Sequence, residues 1–99
     1  MARSKRSKSK HDAEVARIAK RYEGQGFDVK ADIAGFRKPE TIGGYRPDVT
    51  ASRPGQRKIF EVETLDSKDG ARAQGQLEAF KAAADRSKKT AFTRKVTGK

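Results

Sequence analysis

Val15, Ile18, Ala19 and Tyr22 recur at i, i+3, i+4 and i+7, the spacing that lays side chains along one face of an α-helix. Asp12 stands where an N-cap is expected, and Gly24 and Gly26 where the helix should stop. The pattern then changes period. Phe27, Val29, Ala31 and Ile33 alternate with Asp28, Lys30 and Asp32, which predicts a strand with one buried face. Gly35 to Arg46 has no period and contains Gly43-Gly44, so it reads as a mobile loop. Asp48 to Ser52 and Lys58 to Thr64 are β-rich segments flanking Arg53-Pro54-Gly55-Gln56, where proline supplies the fixed φ of a turn, and together they predict a hairpin. Helical spacing returns from Asp69 through Ala73, Leu77, Phe80 and Ala84, and Lys89 to Val96 supplies a last strand. The predicted order is αβββαβ, a mixed sheet flanked by helices in the α/β class.

Composition narrows this to one domain. With 99 residues the chain buries only about two-thirds of its unfolded surface, so its core must be thin. Charged residues make up 37% of it, a share that would favour disorder if evenly spread. Instead the basic excess crowds the ends. Residues 1–10 mix Ser with Lys and Arg and are expected to be a disordered tail, residues 11–96 the domain, and residues 97–99 a flexible C-terminus.

The formal charge of +11 gathers polyanions around the molecule, and a phosphate backbone is the natural partner. A membrane surface ranks below it, because the tail offers no bulky apolar side chain to insert. With no cysteine, disulfides and thiolate metal sites are excluded. No apolar run approaches the roughly 20 residues of a membrane span, so a cytoplasmic, soluble protein is expected.

The segment Lys58-Ile59-Phe60-Glu61-Val62-Glu63-Thr64 carries the candidate chemistry. Alternation puts Phe60 and Val62 on one face and Glu61 and Glu63 together on the other. Two carboxylates on one strand face repel each other unless a cation or basic partner lies between them. Asp48 supplies a third oxygen ligand if the hairpin brings it alongside, and hard cations such as Mg²⁺ take such a set with water and phosphate completing the shell. The competing reading is a solvated face of an edge strand balanced by neighbouring Lys and Arg, and for the pair alone it is the favoured one.

Pro47-Asp48, a hairpin-length gap, then Glu61-x-Glu63 after Ile59 and Phe60 resembles the signature of the PD-(D/E)xK nucleases. From the first helix almost to the C-terminus the chain is similar to the small archaeal Holliday junction resolvases of that superfamily. The shared features are Glu14 in the first helix, Gly26-Phe27-Asp28-Val29, and the helix segment Gly75-Gln76-Leu77-Glu78-Ala79-Phe80. The resemblance implies a restriction-endonuclease-like core. It implies Asp48 and Glu61 as metal ligands, Glu14 as an auxiliary acid, Gln76 as a polar helper, Mg²⁺ or Mn²⁺ as cofactor, and a homodimer, while the shared strand face adds Glu63 as a third candidate ligand. Glu63 occupies the position where the family carries lysine. A minority of restriction enzymes in the superfamily use Glu-x-Glu there, and Lys58 and Lys68 are the nearby candidates to replace the missing cation.

Two functions follow as expectations: a metal-dependent endonuclease acting on duplex or branched DNA, or a catalytically inactive binding module of the same fold. DNA ranks ahead of RNA. Arg37, Lys38, Arg46, Lys58 and Lys68 are the expected nucleic-acid contacts. Phe36 and Tyr45 in the loop are readable either as base-stacking platforms or as packing residues. His11, alone of its type and at the tail boundary, is expected to be solvated and is assigned no role.

Overall fold

The computed structural model describes residues 5–64 and 70–97. Its elements are α1 (Lys5–Gly24), β1 (Asp28–Ala31), β2 (Val49–Arg53), β3 (Gln56–Thr64), α2 (Ala71–Asp85) and β4 (Thr90–Thr97), the αβββαβ order expected from the pattern. The four strands form one sheet in the order β1-β2-β3-β4. β1 and β2, and β2 and β3, are antiparallel, whereas β4 returns through α2 to run parallel to β3. β3 is therefore an interior strand. Among the described residues no helix is long and apolar enough to cross a membrane.

The two helices cover opposite faces. Val15, Ile18 and Ala19 of α1 pack on Val29, Ala31, Val49, Ala51, Phe60 and Val62, with Phe27 closing the strand entry. Tyr22 sits at the rim of this core, edge-on to Phe27 at 5.3 Å and tilted against Phe60 at 5.0 Å. On the other face Ile59 and Phe80 are fully buried, Phe92 lies opposite Ile59 in register, and the Phe80 and Phe92 rings are 5.6 Å apart. Odd-numbered β3 residues thus face α2 and even-numbered ones face α1, the division that sets Glu61 and Glu63 apart from Phe60 and Val62.

The structure departs from the pattern in two places. α1 begins at Lys5 rather than at Asp12, so residues 5–10, read as tail, are helical and Asp12 is an interior helix residue. Lys and Arg have high helix propensity, and a helix already anchored by Val15 and Ile18 extends through such residues without a second nucleation cost. The segment from Gly35 to Arg46 is built rather than mobile. Phe36 packs against the α1 core, Pro39 is fully buried, and Ile42 and Tyr45 exchange two backbone hydrogen bonds of 2.6 and 3.1 Å. Gly43 and Gly44 have φ of 60° and 86°, the positive pair that a tight two-residue hairpin turn of this type requires.

That small hairpin leans on α2. A Cβ at Gly43 would stand 2.8 Å from Cβ of Ala79, and one at Gly75 would stand 2.2 Å from the Tyr45 hydroxyl. Gly43→Ala combines a strained φ with a contact against a helix. We expect it to destabilise the fold by roughly 1–3 kcal/mol, read as a lower urea midpoint at unchanged slope.

Candidate functional site

Asp48 lies one residue before β2, where backbone N–H of Asp32 donates to its carbonyl at 2.9 Å. Its side chain turns across the hairpin, and Oδ2 accepts the backbone N–H of Val62 at 2.8 Å. The antiparallel register, with Val49 opposite Phe60, places Asp48 beside Glu61, as the hairpin reading required. Glu61 and Glu63 are only 4% and 3% exposed. With β2 on one side of β3 and β4 on the other, the reading of a solvated edge strand does not hold.

The electrostatics follow from this crowding. Burial, then the neighbouring charges of Asp48 and Glu63 and a hydrogen bond to the Asp48 side chain, push the Glu61 carboxyl up to about 10, with the Asp48 backbone N–H working weakly against them. Glu61 therefore holds its proton at neutral pH. Its Oε1 is buried with no hydrogen-bond partner. An orphaned buried carboxyl oxygen is costly, because it has lost water without replacement.

His11 corrects the sequence reading. It is buried rather than solvated, 7% exposed, with Nε2 3.2 Å from Asp48 Oδ1 and Nδ1 3.0 Å from Asp12 Oδ1. The cause is the longer α1: His11 precedes Val15 by one turn and lies on the same inward face. Extending the i, i+4 pattern one step towards the N-terminus finds it. Nδ1 hydrogen-bonds to Asp12, and Nε2 stands in ion-pair range of the Asp48 oxygen that Val62 N–H does not hold. His11→Ala should lower any metal-dependent cleavage by about 10- to 100-fold, the usual effect of removing a residue that orients a ligand.

The other candidates are dispersed. Glu14 faces Arg17, with which it forms a side-on ion pair, and Lys95 Nζ of β4 at 2.7 Å. The Arg17 hydrogen bond foremost, and then Lys95, hold its carboxyl below the usual range against the effect of burial. Its side-chain partners are thus cations of α1 and β4 and not Asp48 or Glu61, which departs from an auxiliary acid grouped with them. Gln76 is buried on the inward face of α2 with Ala73 and Phe80. Lys58 shares the Phe60 face and stands 5.9 Å over the Tyr22 ring, so it does not replace the lysine expected at Glu63. The alternation of β3 sends it to the opposite side of the sheet. Arg37 pairs with Asp28 at 2.8 Å and Lys38 with Asp32 at 3.8 Å, both at the surface. Arg46 donates to the carbonyl of Pro39 and so braces the loop. Lys68 lies outside the described residues. Tyr45 packs by Gly75 with Arg72 over its ring at 5.8 Å, and Phe36 packs, half-buried, against the α1 core.

As the side chains stand, the described residues contain no group of three or more His, Asp or Glu arranged to hold a metal ion. The donors nevertheless fit a hard divalent cation. Asp48 and Glu61 offer carboxylate oxygens, one of them buried and orphaned, and such ions commonly bind through one or two carboxylates with water and phosphate filling the rest.

No family model matches the chain, and no curated protein is significantly similar to it.

Proposed function

We propose that this protein is a metal-dependent endonuclease that hydrolyses phosphodiester bonds in duplex or branched DNA, built on a restriction-endonuclease-like core. One observation carries the reading: in a chain of charge +11, Asp48 before β2 and the buried Glu61 and Glu63 of β3 lie close together, and burial first, then these acidic neighbours, keep Glu61 protonated. A purely structural site has no reason to concentrate acids in this way. A bound cation removes the conflict. The antiparallel β1-β2-β3 run followed by a parallel β4 supports the core assignment.

Asp48 and Glu61 would hold Mg²⁺ or Mn²⁺, with Glu63 beside them. The bound ion would lower the pKa of a water, polarise the scissile phosphate and shield developing charge. The chain's own residues set the stage. Val62 N–H holds one Asp48 oxygen, His11 stands 3.2 Å from the other, and Glu61 would release its proton to solvent on binding a cation. The surrounding Lys and Arg hold the polyanion through its phosphates, with little base specificity.

The test is nicking of supercoiled plasmid and of a four-way junction with Mg²⁺, Mn²⁺ or EDTA. Cleavage in both metals and none in EDTA is the expected result. Glu63 at the position of the family's lysine favours a second reading, a binding module that retains the fold without hydrolysis. Binding of the same DNAs without cleavage in either metal would select it.

A further inference from the structure

The opposite end of the sheet from Asp48 and Glu61 carries a feature that the hydrolytic reading does not use. Where the Pro54-Gly55 turn meets the α2–β4 connection there is a shallow depression of about 510 Å³, lined by Arg53, Arg57, Lys88 and Lys89 and by no acid. Arg17, Lys30, Arg37, Lys38 and Lys95 each have a carboxylate in ion-pair range. Among the described residues none of the four lining cations has one. Arg57 also borders the neighbouring depression that holds Asp28 and Glu40, while Arg53, Lys88 and Lys89 border only this one among the depressions described.

The depression is also preorganised. Arg57 N–H donates to the Lys89 carbonyl at 2.8 Å and Thr90 N–H to the Ser87 carbonyl at 3.1 Å, which ties the connection to β3. The Arg53 guanidinium is fixed by Gln56 at 3.0 Å and by the Phe27 ring beneath it at 4.2 Å. Cations carried on a backbone already fixed in this way, with one guanidinium held in place, bind an anion with less ordering cost than those of a free loop.

We propose that this depression is a phosphate-backbone docking site for the same DNA duplex that reaches the acidic site. The inference rests on the nuclease reading and extends it with a second contact point. Arg57 and Glu61 share a strand and a face, and four residues of β3 span about 13 Å at ~3.3 Å per residue. That is roughly four base-pair steps at ~3.4 Å each. The cations thus clamp the duplex several steps away from the bond being cut, and they contribute to affinity and not to chemistry.

The test is binding of a short fluorescein-labelled duplex by anisotropy in EDTA across a series of NaCl concentrations, paired with single-turnover cleavage in Mg²⁺. Arg57→Gln with Lys89→Gln should reduce the slope of log affinity against log salt by about two and weaken binding roughly tenfold near physiological salt. The cleavage rate at saturating protein should be unchanged. Lys88→Gln with Lys89→Gln, both at exposed positions, should act in the same direction and guards against a folding defect at Arg57. Lys20→Gln with Lys81→Gln removes the same charge elsewhere and should change affinity less than about twofold. Equal losses in the control and the site variants would overturn the docking site while leaving the nuclease reading intact, as would tighter binding of duplex RNA than of DNA at the depression. A wild-type protein that binds no DNA would remove both.

Discussion

Asp48→Asn and Glu61→Gln should each reduce Mg²⁺-dependent nicking of supercoiled DNA by at least about a thousandfold, some 4 kcal/mol in barrier, with far-ultraviolet circular dichroism unchanged. Both substitutions keep the shape of the side chain. An asparagine carbonyl still accepts the Val62 N–H that Asp48 accepts at 2.8 Å, so the hairpin register survives. What is lost is the negative oxygen that a hard cation needs. Glu63→Gln separates two roles for the third acid: it should cost less than either of the other two if Glu63 supplies charge nearby. Cleavage unchanged in both Asp48→Asn and Glu61→Gln would take these residues out of the reaction.

The second large effect is on stability. Glu61 has an ordinary pKa of 4.5 and is raised to about 10 in the fold, so between those values the native state binds a proton that the unfolded chain releases. The stabilising contribution of its protonated form is complete below about pH 4.5 and is lost as pH rises towards 10. In metal-free wild-type protein stability should therefore fall with pH through this window. Glu61→Gln carries no such proton and should unfold with a flatter pH profile, becoming the more stable protein at pH 8. Divalent metal should narrow the gap, because it stabilises the wild type and has little to bind in the variant. Urea unfolding at several pH values, with EDTA or Mn²⁺, measures both effects. A wild-type profile as flat as that of Glu61→Gln would show that the acids are not in conflict.

Much of this was legible in the chain because two periods are hard to mistake. The 3.6-residue recurrence from Val15 to Tyr22 and the alternation from Ile59 to Glu63 are each enforced by one buried face, and the structure keeps both. The hairpin around Pro54-Gly55 was equally plain, since proline and a glycine with φ of 79° define its turn. The juxtaposition of Asp48 with Glu61 followed from register alone.

What escaped the sequence depended on long-range packing. His11 looked solvated only because the helix was started at Asp12, and a run of Lys, Arg and Ser gives no apolar signal that α1 continues to Lys5. The Gly43-Gly44 turn was read as looseness, although its order comes from Ala79 and Gly75 of α2, more than 30 residues away in sequence. Lys58 seemed able to replace the lysine missing at Glu63, but one residue of strand parity sends it to the Tyr22 face. Glu14 was grouped with the acids and is held by Arg17 and Lys95 instead, the latter on a strand 81 positions further along the chain.

The most direct measurement is Mn²⁺ titration of ¹⁵N-labelled protein, followed by amide relaxation and by the proton release recorded in a weakly buffered solution. Selective broadening at Asp48, Glu61 and Val62, with about one proton released per ion near neutral pH, is the outcome that a cation seated between the two carboxyls requires. Broadening spread evenly over surface acids such as Glu23 and Glu78, with no proton released, would contradict it.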